Sequence, residues 1–156
     1  MTENNINKMI KLSMDKKNKL VEILDFTNVQ EKAIKEDNTE ELSKILVQKD
    51  RLMKSVDDLD KEFVSLYERV KAEENVDNFR DIDVTKYESL KGLKDVVEEI
   101  NRILDKLTQL DKRNMENMKD SLNKTKSDLK QVKEVQRAYK GYSYEESGSI
   151  LIDKKK

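Results

Sequence analysis

The stretch LSKILVQKDRLMKSVDDLDKEFVSLYERV, residues 42–70, decides the fold class. Within it Leu42, Ile45, Lys49, Leu52, Val56, Leu59, Phe63, Leu66 and Val70 stand 3 and 4 residues apart in strict alternation, and eight of the nine are apolar. A strand would alternate every second residue; a 3–4 alternation sustained over four heptads is the pattern of a helix that buries one stripe in coiled-coil-like packing. Lys49 is the one polar intruder in that frame.

The rest of the chain repeats the theme. Of its 156 residues, 42% are charged and 35% hydrophobic, against about 25% and 45–50% in an average globular domain. That supply cannot fill a thick core, but it suits long helices that each bury a narrow stripe and solvate the remainder with Lys and Glu. Proline is absent and only Gly92, Gly141 and Gly148 could punctuate the backbone, so long uninterrupted helices are expected.

Upstream, a first helix is expected over about 5–35, with Ile6, Met9, Ile10, Leu20, Ile23, Leu24 and Ile34 on one side and a weak middle at Lys16 to Lys19. Asn38 followed by Glu41 has capping-box spacing, which opens the second helix at 39 and predicts a tight helical hairpin. This second helix runs to about residue 71. From Ala72 to Val84 the pattern dissolves into Glu, Asp and Asn, a connection with one short ordered turn. Thr85 and Glu88 again have capping-box spacing, so the third helix is expected over 85–140. Leu90, Leu93, Val97, Ile100, Leu104 and Leu107 continue the 3–4 alternation, and this seam is expected to face that of residues 42–70.

At Asp111 and Asn114 the third helix's frame is broken by polar residues, and apolar residues resume as Met115, Met118, Leu122, Leu129 and Val132. A four-residue stutter accounts for that shift. A 56-residue helix is roughly 84 Å long, against about 50 Å for the second, so it must bend or project beyond its partners. The fold class is therefore all-α: an elongated antiparallel hairpin, or three-helix coiled-coil-like bundle, with one very long C-terminal helix. Residues 1–140 form a single domain, and 141–156 a flexible tail holding Ile150-Leu151-Ile152 before three lysines.

Several functions are disfavoured. The 32 basic and 33 acidic residues are interspersed and nearly cancel, so no broad positive field attracts nucleic acid. Without histidine or cysteine the chain lacks the commonest general base, the commonest zinc ligand and any thiolate. Paired carboxylates at Glu73-Glu74, Glu98-Glu99 and Glu145-Glu146 have no accompanying histidine or glycine-rich turn and read as solvated helix faces. Residues 77–83 lack the central glycine of a calcium loop. No catalytic residue, metal, cofactor or small-molecule substrate is implied. No apolar run approaches the roughly 18 residues that cross a bilayer, and Met1 to Lys8 is followed by no apolar secretory region, so a cytoplasmic location is expected.

What remains is protein–protein contact. The stripe Met115, Met118, Leu122, Leu129, Val132 reads either as the loosely packed end of the bundle or a homodimer seam, or as a partner groove for which flexible methionine is well suited. Tyr139, Tyr142 and Tyr144 crowd three of five tyrosines into six residues, the residue type that concentrates at binding hot spots.

The order of these parts resembles the FlgN family of flagellar type III export chaperones. The resemblance spans most of the chain and is carried by Gln48-Lys49-Asp50-Arg51-Leu52-Met53, Leu59-Asp60-Lys61-Glu62-Phe63, Arg113-Asn114 and Ala138-Tyr139-Lys140-Gly141-Tyr142. It implies a cytoplasmic chaperone for the hook–filament junction proteins FlgK and FlgL, which it would deliver to the export gate protein FlhA. Carried over, the cargo surface falls on Met115, Met118, Leu122, Leu129, Val132 and Val135, and the gate contact on Tyr139, with Tyr142 and Tyr144 as neighbouring alternatives. A FliT-like chaperone with other cargo, and a structural coiled-coil protein that homodimerises through its exposed seam, are the competing expectations.

Overall fold

The computed structural model describes residues 1–124 and, beyond them, Arg137 and Ala138. The described chain is all-helical: α1 (Thr2–Lys35), α2 (Thr39–Glu73) and α3 (Ser89–Lys124), with one 3-10 turn, Phe79–Asp81, between α2 and α3. Lys17 meets Glu99, the Thr27 carbonyl meets Asn114, and Asp37 meets Ser121, so α3 runs parallel to α1 and α2 runs antiparallel to both.

The turns are made without glycine. Asp37 and Asn75 each adopt φ 53° just past a helix. At α1, Asn38 N–H donates to the Ala33 carbonyl at 2.9 Å and Asp37 N–H to that of Ile34 at 3.1 Å; at α2, Val76 and Asn75 repeat the pattern onto Lys71 and Ala72 at 3.0 and 3.2 Å. Both are Schellman closures, placed on residue types whose short polar side chains tolerate the left-handed region. The Asn38 side chain then accepts from Glu41 N–H at 3.1 Å and starts α2, as its spacing predicts.

At the other end of the bundle, half-buried Glu74 fastens the connection. It accepts from Tyr87 at 2.9 Å, Thr2 at 3.0 Å and Lys86 at 3.2 Å, while Asn5 donates to Glu73 at 2.7 Å. Burial opposes the charge of Glu74, but these hydrogen bonds outweigh it and hold the carboxyl below its ordinary range.

Three expectations are corrected. The third helix begins at Ser89 rather than Thr85, because the Thr85 amide and hydroxyl both donate to Asp83, at 3.0 and 2.7 Å, in a turn that postpones the helix. Its described part has 36 residues against 34 in α1 and 35 in α2, so no length mismatch exists among the described residues; the continuation to Lys140 and the tail from 141 lie outside them. Finally, the seams of α2 and α3 do not principally face each other. The close backbone approaches join α1 to α2 and α1 to α3.

The helix whose stripe reads as weak in its middle, α1, is therefore the centre of the bundle. Ile6, Met9, Ser13, Lys16, Leu20, Ile23, Thr27, Gln30 and Ile34 are all buried and fall 3 and 4 residues apart throughout. Four of the nine are polar, which disguises the seam. On α2 the buried face is turned by one residue: Met53, Asp60 and Tyr67 are buried, while Leu52, Leu59 and Leu66 are half-buried. Facing α1 explains the turn, since buried Lys16 of α1 donates to Asp60 at 2.7 Å.

Candidate functional site

The end of the bundle nearest the α1–α2 turn holds Met115, Met118 and Leu122, the described members of the stripe that sequence reading singles out. It has two layers, one polar and one apolar.

The polar layer is centred on Lys49, which is fully buried. Its ammonium donates to Gln30 Oε1 at 2.9 Å and to Asp111 Oδ1 at 3.1 Å, tying all three helices together. One turn along α3, fully buried Asn114 donates through Nδ2 to the Thr27 carbonyl at 3.2 Å, while the Thr27 hydroxyl donates to the Ile23 carbonyl at 2.6 Å. Arg113 Nη2 lies 3.2 Å from Glu31 Oε2 on the exposed flank. Burial lowers the pKa of Lys49 and raises that of Asp111, and their mutual attraction opposes both shifts. Among the described residues Gln30 Nε2, Asp111 Oδ2 and Asn114 Oδ1 are buried without a hydrogen-bond partner.

This layer removes the expected stutter. From Leu107 the 3–4 frame continues to Asp111, Asn114 and Met118 without a break; Asn114 and Met118 are buried and the Asp111 side chain keeps 14% of its exposure. Polar residues occupy seam positions because polar partners on α1 and α2 await them. Gln30, Thr27, Asp111 and Asn114 were not singled out as structural residues by the sequence reading. The available signal was arithmetic: residues 107, 111, 114 and 118 keep the heptad step even though two of them are hydrophilic.

Above it lies the apolar layer. Ala33 and Ile34 of α1, Leu42, Ile45 and Leu46 of α2 and Met118 of α3 form a second buried cluster, separate from the main core, with Phe26, Met115 and Leu122 half-buried against it. Met118 keeps only 3% of its exposure, covered by the hairpin. Met115 and Leu122 flank it and are partly accessible. Ser121 donates to Asp37 in the α1–α2 turn at 2.9 Å, which marks the level at which α1 and α2 end. Leu129, Val132, Val135, Tyr139 and Tyr142 lie outside the described residues.

Among the described residues no cluster of carboxylates is placed to hold a metal ion. Of the paired acids, Glu73 and Glu74 bind the start of α1 and the connection, and Glu99 pairs with Lys17; Glu145-Glu146 lie outside the described residues. No described helix is long and apolar enough to cross a membrane.

A family model described as FlgN protein matches residues 1–150 of the chain. No curated protein and no solved structure matches it.

Proposed function

The chain belongs to the FlgN family, whose members are flagellar export chaperones, and from that premise we propose that it binds the C-terminal helical region of the hook–filament junction proteins FlgK and FlgL in the cytoplasm and delivers them to the export gate protein FlhA. The observation that carries the reading is the family match over residues 1–150.

The mechanism is helix-in-groove recognition. Leu122 and Leu129 follow Met115 at successive intervals of seven, and Val132 and Tyr139 continue the register of Met118. In the sequence, two neighbouring heptad registers therefore continue beyond Ser121, the residue level with the α1–α2 turn, the second by way of Thr125. In this reading Met118 anchors α3 to the hairpin, and an amphipathic cargo helix covers Met115 and Leu122 and then Leu129, Val132 and Val135. Tyr139 beyond them contacts the gate, with Tyr142 next to it.

Each buried Leu contributes roughly 1.5–3 kcal/mol before ordering costs. Leu122→Asp combined with Leu129→Asp is expected to weaken binding of a FlgK C-terminal fragment by at least about a hundredfold in isothermal titration calorimetry, with far-UV circular dichroism unchanged. Undiminished affinity removes the stripe from the cargo site; collapsed helicity assigns it to the core. Tyr139→Ala is expected to spare cargo binding and reduce capture of the loaded chaperone by the cytoplasmic part of FlhA.

A further inference from the structure

Because α2 and α3 each pack on α1 more closely than on each other, a groove stays open between them at the end of the bundle that holds the connection. Its volume is about 450 Å³. Phe63 and Tyr67 of α2 form one wall and Leu90, Leu93 and Val97 of α3 the other, with Phe79, Ile82 and Val84 of the connection closing one end. Tyr67 stacks on Phe79 with ring centroids 4.5 Å apart, and Val84 at the mouth keeps 60% of its exposure.

The charged residues that line it are all of one sign. Arg80, Lys91 and Lys94 contribute to the groove, and no carboxylate does. All three are exposed, and none forms an ion pair with another described residue. In a chain of net charge −1 that is a local departure from the mixed surface. α3 also begins here with no acidic residue in its first turn, so the positive end of its dipole adds to the same field.

We propose that this groove receives a segment of another protein that combines one or two large apolar anchors with flanking carboxylates. The walls supply apolar contact for the anchors, and the three cations select for acidic neighbours and speed encounter. The site is distinct from the cargo stripe: Leu90 and Met118 are separated by about 42 Å of helix. The chain's own tail carries Glu145-Glu146 and Asp153 beside Ile150-Leu151-Ile152 as well as three terminal lysines, so it is the competing occupant that the test must exclude.

The test uses the full chain and three fluorescent peptides: an amphipathic 16-residue helix with leucines on one face and glutamates elsewhere, the same leucines with lysines, and residues 139–152 of this chain. The glutamate peptide is expected to bind at least ten times more tightly than the lysine peptide in fluorescence anisotropy and to lose affinity with added salt. Lys91→Glu with Lys94→Glu is expected to weaken it at least tenfold; acids near the start of α3 favour the helix, so an unchanged thermal melt separates lost binding from lost folding. Val84→Asp, at the exposed mouth, is expected to weaken it as well. Equal affinity for both charged peptides, no saturable binding of the glutamate peptide, or indifference to charge reversal overturns the proposal. Tighter binding of residues 139–152 than of the glutamate peptide also overturns it, by giving the groove to a second copy.

Discussion

Replacing Lys49 by methionine tests the centre of the fold. The side chain is fully buried and its ammonium stands 3.1 Å from Asp111 Oδ1. At that distance two unit charges attract by about 5 kcal/mol at an effective dielectric of about 20, while removing each ion from water costs several kcal/mol. The intact pair therefore sits near balance. Lys49→Met upsets the balance, because methionine fills the space but leaves the Asp111 carboxylate buried without its cation and Gln30 Oε1 without its donor. Breaking a buried pair from one side typically costs about 3–5 kcal/mol, which in a chain of this size lowers Tm by roughly 10 °C or more. Urea unfolding followed by circular dichroism at 222 nm, together with a thermal scan, measures both.

Two further outcomes separate this cause from a packing defect. Burial already raises the pKa of Asp111, and the loss of Lys49 raises it more. A folded-state carboxyl pKa above its unfolded value contributes stability that is present at low pH and lost as pH rises through the folded pKa, so the variant's deficit must shrink on acidification. Adding Asp111→Leu removes the stranded charge and should restore stability to within about 1–2 kcal/mol of wild type, the remainder being the lost partner of Gln30. A single variant within about 1 kcal/mol of wild type, or a double variant no more stable than the single one, would falsify the account.

Met118→Ala should cost about 2–4 kcal/mol in the same assay, as expected for a truncated core methionine, whereas a loss below about 1 kcal/mol would return Met118 to the accessible stripe. Glu74→Gln should destabilise the chain at neutral pH and narrow its difference from wild type on acidification: a depressed folded pKa gives stability that is present above the unfolded value and lost as pH falls below the ordinary 4.5. A difference independent of pH would show that the carboxylate's charge is immaterial there. Gly92→Ala should stabilise by about 0.5–1 kcal/mol, since helical propensity rises and the added methyl would sit 3.7 Å from Ile10 Cδ1, an ordinary contact. Destabilisation would mean that α1 and α3 approach more closely than this.

How much of this was legible in the sequence depended on whether a helix announces its seam with apolar residues. α2 and the first half of α3 do so, and the hairpin signal at Asn38 is realised at the atomic level by its bond to Glu41 N–H. α1 does not, because Ser13, Lys16, Thr27 and Gln30 hold seam positions, and its stripe reads as weak in the middle although it is the bundle's central element. The same blindness turned Asp111 and Asn114 into an apparent stutter. The capping box at Thr85 failed for a different reason: its hydroxyl had a nearer partner in Asp83. For the candidate site, the stripe was legible as far as Leu122, but sequence alone could not tell that Met118 is covered while Met115 and Leu122 stay partly open, since that depends on where the α1–α2 turn falls against α3.

The polar seam also bears on how such a chain could present a surface. A purely apolar heptad seam is degenerate: sliding α3 by seven residues, about 10 Å, exchanges leucine for leucine at little cost. Here such a slip would carry Asp111 away from Lys49 and Asn114 away from the Thr27 carbonyl, stranding one charge of each sign in the interior. The layer adds little net stability, yet it penalises the wrong register by several kcal/mol, the use for which buried polar groups are best attested. Register is what decides that Met118 meets the hairpin cluster and that Leu122 emerges at its edge. The double variant Lys49→Met with Asp111→Leu therefore separates two properties that usually travel together. If the layer sets the position of α3, it should fold to within about 1–2 kcal/mol of wild type while, on the proposed function, binding the FlgK fragment more weakly and giving broadened or doubled amide signals for α3. Full affinity with one sharp set of signals would show that the apolar contacts alone fix the register.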